Sequence, residues 1–241
     1  MKTLAVIPAR YSSTRLPGKP LAKIAGIPLV VRVLDNVRSC SSVDRVIVAV
    51  DDERIADVVR AVGGEAFMTP PELPSGGDRV AYVAKRIESE FVLNVQVDDP
   101  LVGADMIDPL VEALASDSSV KLALLVKRIE KQEEVLSENV VKAVFDGRKR
   151  AMYFSRSPIP RFSDNGGVWY KHIGPYGWRR DFLFEFAAME QTPLEKTESL
   201  EMLRVIESGR SIKCVEVSRD TIEIDTPEDL VKIEKYYSSG L

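Results

Sequence analysis

The chemistry this sequence offers is carried by charged side chains in two settings. Arg10, Arg15 and Lys19 are cations in one short stretch, Pro8-Ala9-Arg10-Tyr11-Ser12-Ser13-Thr14-Arg15-Leu16-Pro17-Gly18-Lys19-Pro20. That stretch follows directly on the apolar run Leu4-Ala5-Val6-Ile7. A buried strand emptying into a loop of cations, Ser and Gly offers side-chain charge and backbone N–H groups together, as a polyphosphate requires. The acids lie far downstream: Asp98 in Val95-Gln96-Val97-Asp98-Asp99-Pro100, and Asp225 in Ile224-Asp225-Thr226-Pro227. Each also follows an apolar, strand-like run. Mg²⁺ is a hard ion, held by one or two carboxylates together with phosphate oxygens and water. Cations at one strand end and carboxylates at two others point to phosphate and Mg²⁺ in one crevice.

The elements that must position these residues follow from the apolar pattern. Strands are expected over Thr3–Pro8, Arg45–Val50, Glu65–Met68, Phe91–Val97 and Val120–Leu125. Helices are expected between them, over Pro28–Arg38, Glu53–Val62, Asp78–Ser89 and Met106–Ala115. The strands are nearly continuous in Val, Ile, Leu and Ala, the pattern of a sheet covered on both faces. Repeated strand-then-helix order predicts a doubly wound, mostly parallel α/β sheet with right-handed crossovers. Ligands of such sheets bind beyond the carboxyl ends of the strands, where the first loop and Asp98 both fall. Val140–Phe145 and Met152–Phe154 read as a hairpin, with a polar, aromatic segment from Ser155 to Trp178 and a turn at Asn165-Gly166-Gly167. A helix is expected over Asp181–Met189 and a strand over Ser211–Val217. The final helix starts near Pro227, with Thr226 as N-cap and Asp229 as the acid of a capping box.

Bulk properties exclude other classes. With 241 residues and 45% hydrophobic composition, the chain can bury one large core. Its 33 basic and 37 acidic residues give a net charge of −4, with no general attraction to nucleic acid or an anionic membrane. Cys40 and Cys214 fit neither a disulfide framework nor a metal-ligand spacing, as expected of reduced thiols in a cytoplasmic protein. No apolar stretch approaches the ~18 residues of a membrane span, and no signal peptide is expected.

The motifs then carry a resemblance. P-A-R-x-x-S-T-R-L-P-G-K-P-L is similar to the signature of the cytidylyltransferases that activate 3-deoxy-manno-octulosonic acid (Kdo). Matching segments follow in order: Ser75-Gly76-Gly77-Asp78-Arg79, Asn94 to Pro100, Tyr153 to Pro160, Lys171 to Gly177, Pro193 to Arg204, and Asp225 to Leu230. The resemblance covers nearly the whole chain. It implies a Rossmann-like sheet of the nucleotide-diphospho-sugar transferase type. One α/β domain would span 1–241, with an inserted subdomain at about 150–205 for sugar binding and homodimer contact. It implies transfer of CMP from CTP to the anomeric hydroxyl of Kdo or a close variant, with Mg²⁺ as cofactor and a place in lipopolysaccharide biosynthesis. Pro8, Ala9, Arg10, Arg15, Lys19, Ser75, Gly76 and Arg79 would bind the nucleotide, and Arg10, Lys19 and Asp98 would be catalytic. Asp98 and Asp225 would hold the metal. Gln96, Arg156, His172, Tyr176, Glu198 and Glu201 would meet the sugar acid, Arg156 suiting its carboxylate through bidentate pairing.

This chain departs from the family pattern at four places. Val97 stands where the family has Gly, Asp99 replaces Glu, Gly77 replaces Thr, and Met202 replaces a Gln expected to face the sugar. A β-branched residue cannot adopt a positive φ without strain, and Met for Gln changes which hydroxyls are satisfied. Other readings are a nucleotidyltransferase acting on a sugar phosphate and a CTP-binding regulator without turnover. A nicotinamide-binding protein would need the glycine fingerprint that is absent here.

Overall fold

The structure is a computed structural model describing residues 1–12, 16–163 and 166–238. Arg15 and Asn165, assigned above to the nucleotide loop and to a turn, lie outside the described residues. The chain divides into two compact units, Met1–Asp108 with Thr221–Leu241, and Pro109–Asp220.

The first unit opens with β1 (Thr3–Ala9), buried along its whole length. A 3₁₀ turn at Lys19–Leu21 and a small ladder of β2 (Lys23–Ile24) and β3 (Ile27–Pro28) lead into α1 (Leu29–Arg38). Then come β4 (Arg45–Val50), α2 (Glu53–Ala61), β5 (Glu65–Met68), α3 (Gly76–Ala84) and β6 (Phe91–Asn94), and the division falls within α4 (Ala104–Ser116). The α1 face formed by Val30, Val31, Val33, Leu34 and Val37 is buried. Asp52 caps α2 by accepting from Arg54 N–H. The strands are parallel, β1 pairing with β4 and β6, and β4 with β5. The chain steps outward from β1 through β4 to β5, then returns to place β6 on the other side of β1. That reversal is a topological switch point, and the carboxyl ends of β1 and β6 flank it.

The second unit contains β7 (Leu122–Arg128), α5 (Gln132–Leu136), β8 (Lys142–Phe145), β9 (Ala151–Ser155) and β10 (Tyr170–Arg179). It continues through α6 (Arg180–Ala187), α7 (Pro193–Glu198), α8 (Met202–Glu207) and β11 (Lys213–Val217). Strand β7 pairs in parallel with β11 and antiparallel with β10, and β8 joins β10 to β9. Trp169 packs with Ile129 and Val135, and its Nε1 donates to Pro160 O at 2.9 Å. The chain then returns to the first unit and ends in α9 (Pro227–Ser238).

The mixed α/β class with a largely parallel sheet agrees with the pattern read from sequence. Strand β6 ends at Asn94 rather than at Val97. Beyond it Asp99 turns the chain, its carboxylate accepting from Leu101 N–H at 3.1 Å. Strand β10 was not expected. Its pairing with β7 shifts register between Ile173 and Tyr176, where Gly174 has φ 54°. A bulge of this kind absorbs Pro175 and needs glycine's freedom. The predicted capping box of α9 forms, with Thr226 Oγ1 and Asp229 Oδ2 at 2.9 Å.

Candidate active site

The first loop delivers Lys19 through a sharp turn. Gly18, at φ 67°, donates its N–H to Tyr11 O at 3.0 Å and caps the 3₁₀ turn that starts at Lys19. Lys19 Nζ donates to Asp98 Oδ2 at 2.9 Å and to Asp225 Oδ1 at 3.1 Å. Ile224 N–H bonds to Asp98 O at 2.9 Å, so the segments bearing the two acids are stitched together through their backbones. Burial lowers the Lys19 pKa, but Asp98 and Asp225 outweigh it and raise the value above the ordinary lysine range. Lys19 is a fixed cation.

Each acid sits beside a turn that a neighbouring residue caps. Asp99, only 2% exposed, makes the turn at Pro100. Thr226 and Asp229 cap α9. Asp98 and Asp225 both accept from Lys19 Nζ. Val97 is buried and is not among the residues with positive φ, so it carries no left-handed strain.

On the other side of the loop, Arg10 follows the last residue of β1. Its Nε lies 3.8 Å from Asp51 Oδ2, and its Nη1 is 3.5 Å from Pro74 O. Arg79 turns inward. Its side chain is fully buried, with Nη2 3.4 Å from Asp51 and Nη1 bonded to Thr69 Oγ1 and Pro70 O. Burial lowers the Arg79 pKa against the opposing pull of Asp51. Ser75 caps α3, its Oγ accepting from Asp78 N–H at 3.0 Å and donating to Asp78 Oδ2 at 2.6 Å. A Cβ on Gly76 would lie 3.4 Å from Pro8 Cγ and 3.6 Å from Gln96 Oε1. Pro8, Gly76 and Gln96 therefore share one close-packed spot, and Gln96 Nε2 donates to Asn94 Oδ1 at 3.1 Å. Asp51 was not singled out from the sequence. Its signal was available, since it follows the run Val46–Val50 as Asp98 follows Val95–Val97.

The remaining candidates sit in the second unit. Glu198 accepts from Ser155 Oγ at 2.6 Å and from Arg156 N–H at 3.0 Å. Arg156 Nε donates to Glu198 O at 3.1 Å and Nη1 to Glu138 O at 3.0 Å. Lys142, fully buried, holds this corner through the carbonyls of Ser137, Val140 and Arg156. His172 stacks on Tyr176 at 5.2 Å and meets the edge of Phe154 at 6.1 Å. Its Nε2 is buried without a hydrogen-bond partner among the described residues. Desolvation pushes its pKa down to about 4, so the ring is neutral at pH 7. Glu201 starts α8. The next residue, Met202, is buried at 4% exposure. Glu195, from the same motif, forms a two-pronged pair with Arg204 at 2.6 and 2.8 Å.

A cation shared by two carboxylates, with Arg10 just past the end of β1 in the same loop, suits transfer of a nucleotidyl group, and comparison with known proteins places the chain among the nucleotidyltransferases. It belongs to the cytidylyltransferase family: the family profile described as Cytidylyltransferase matches residues 4–212. Its curated relatives include the 3-deoxy-manno-octulosonate cytidylyltransferase of Geobacter metallireducens, 47% identical over 97% of this chain and 96% of the relative. That of Thermodesulfovibrio yellowstonii is 43% identical over 98% of both. A solved structure of CMP:2-keto-3-deoxy-manno-octonic acid synthetase complexed with CTP superposes with a TM-score of 0.95 at 36% identity, covering 100% of both chains. The 4-diphosphocytidyl-2C-methyl-D-erythritol synthase of Anaerococcus prevotii, at 16% identity and TM-score 0.67, shares the fold. No described helix is long and apolar enough to cross a membrane.

Proposed function

We propose that this protein transfers the CMP group of CTP to the anomeric hydroxyl of Kdo or a close variant, releasing pyrophosphate, with Mg²⁺ held by Asp98 and Asp225. The observation that carries the reading is the meeting of Asp98 and Asp225 on one cation, Lys19 Nζ, in a chain 47% identical to a 3-deoxy-manno-octulosonate cytidylyltransferase. The donor set fits Mg²⁺, since both groups are hard carboxylate oxygens already converging on positive charge. Among the described residues no cluster of three or more His, Cys, Asp or Glu side chains is arranged for a metal. The protein would supply two ligands, as is usual for an ion that also takes phosphate oxygens and water. Bound there, Mg²⁺ would screen charge on the phosphate oxygens at the α-phosphorus.

The chain's own residues do the rest. Lys19 and Arg10 present fixed cations to the triphosphate, stabilising charge that builds as the bond to pyrophosphate breaks. Pro8, Ala9, Ser75 and Gly76 line the nucleotide's approach, with Arg79 supporting from the interior. Gln96, Arg156, His172, Tyr176, Glu198 and Glu201 bind the sugar acid. Neutral His172 can donate to or accept from a sugar hydroxyl, and Arg156 Nη2, without a hydrogen bond among the described residues, is available for its carboxylate. The enzyme works as a homodimer through the 150–205 segment, which the exposed Met152 and Val168 support. It works in the cytoplasm, which the two free thiols of Cys40 and Cys214 support.

The test is pyrophosphate release with CTP, Mg²⁺ and a panel of sugar acids including Kdo and 8-amino-Kdo. Release with one acceptor, abolished by EDTA and restored by Mg²⁺, is the expected result. Silence across the panel with CTP bound would favour the regulator reading.

A further inference from the structure

Two arginines of the nucleotide region converge on one carboxylate for which the transfer reaction has no direct use. Asp51 follows the last residue of β4, and because Ala9 pairs with Val50, it lies beside Arg10 across the ladder. It is only 7% exposed. Its Oδ1 accepts from Tyr11 N–H at 2.9 Å. Its Oδ2 lies 3.4 Å from Arg79 Nη2 and 3.8 Å from Arg10 Nε. The two cations are not equivalent. Arg79 is fully enclosed, so Asp51 is the counter-charge that makes its burial tolerable. Arg10 is 40% exposed on its side chain. Its Nε is buried with no hydrogen-bond partner among the described residues. It is aimed by charge but not used up by bonds.

The second oxygen reaches further. Tyr11, held by its N–H, is held again at its carbonyl by Gly18 N–H at 3.0 Å. A Cβ on Gly18 would lie 3.5 Å from the Tyr11 ring, and the Arg54 guanidinium stacks 3.5 Å from that ring's centre. Lys19 is the next residue.

We propose that Asp51 is the positioning residue of the triphosphate site, orienting Arg10 through one oxygen and, through Tyr11 and Gly18, anchoring the loop that carries Lys19. This rests on the transfer reaction proposed above. Asp51 touches no reacting atom. It draws Arg10 by charge while 40% of that side chain stays exposed, so the guanidinium remains open to an anion.

A double-mutant cycle tests this. Asp51→Asn keeps an acceptor for Tyr11 N–H and removes the charge. We expect kcat/KM for CTP to fall about 10-fold or more, as misplacement of a charged group commonly does, with KM for the sugar acid unchanged within about twofold. In an Arg10→Ala background the same change should cost under about threefold, since the two act as one unit. Thr69→Val, which strips a different Arg79 partner, should lower Tm and leave kcat/KM for CTP alone. If Asp51→Asn is too unstable to purify, Asp51→Glu replaces it: it keeps the charge but displaces it by one methylene, so a smaller loss is expected, and it should again shrink in the Arg10→Ala background. A loss of Tm with wild-type kinetics, or equal losses in both backgrounds, would overturn the proposal. Calorimetric CTP binding is measured alongside. A wild type that binds CTP but releases no pyrophosphate with any acceptor sinks the transfer reading alone, and the cycle is then read from the Kd for CTP.

Discussion

The loop end of the first unit and the Arg156–His172 region of the second handle charge in opposite ways. In the first, cations meet carboxylates through side-chain ion pairs that an incoming ligand can exchange. Lys19 is shared between Asp98 and Asp225, which are 25% and 31% exposed, and Arg10 is held at 3.8 Å. In the second, charge is tied to backbone: Lys142 ends on three carbonyls and Arg156 on two. His172 is kept neutral altogether. A site for a mobile, multiply charged ligand keeps its charges loosely committed. A site for a fixed arrangement of hydroxyls keeps its shape by bonding to itself.

Removing one of the exchangeable acids is the sharpest way to break that contrast. Asp98→Ala or Asp225→Ala should lower pyrophosphate release by about 10²–10³-fold, the scale of losing one electrostatic contact to the transition state. Lys19 keeps the remaining acid, so circular dichroism and Tm should change little. Near-wild-type turnover in both variants would remove them from the metal site. The opposite signature belongs to the second unit. Glu195→Ala takes the carboxylate from the Arg204 guanidinium, whose side chain is only 13% exposed and keeps the carbonyls of Phe186 and Met189. That should cost about 3–5 kcal/mol of stability, as breaking a buried pair does, measured by urea unfolding. Turnover per folded molecule should hold.

Acid should separate the regions as well. His172 titrates near 6.5 when unfolded and at about 4 in the fold. Below pH 6.5 the unfolded chain takes the proton first. The stability owed to neutral His172 is therefore complete above 6.5 and drains away as pH falls toward 4. His172→Phe should flatten that part of the urea-midpoint profile; an unchanged slope would place the proton elsewhere. The smallest effect concerns the acceptor. Met202 replaces a glutamine expected to face the sugar, yet its side chain is buried. Met202→Gln should lower stability by about 1–3 kcal/mol through a buried amide. Combined with Val97→Gly, it should leave kcat/KM on Kdo within about threefold. A large gain would restore both positions as determinants of acceptor choice.

These contrasts also mark what could be read in the chain. The parallel strands of the first unit were legible because Val, Ile and Ala run unbroken through them and turn residues follow. Asp98 and Asp225 stood out behind apolar runs, although in the structure Asp98 lies four residues past β6 and no strand leads into Asp225, β11 having ended at Val217. That Asp99 makes the turn at Pro100 was not legible. Strand β10 was hidden by Lys171, His172, Gly174 and Pro175, which break alternation and force a bulge. Helices α7 and α8 are six residues each, too short for a helical period to show. The inward turn of Arg79 and the role of Asp51 depend on each other. A buried arginine looks like any other arginine until its carboxylate is found, and here the two are 28 positions apart.

The first unit is discontinuous: Lys19 comes from its first segment and Asp225 from its last. Lys19 and Asp225 are 206 positions apart. A chain cut before Thr221 would therefore offer Lys19 only Asp98, and would lack the backbone bond from Ile224 to Asp98 O.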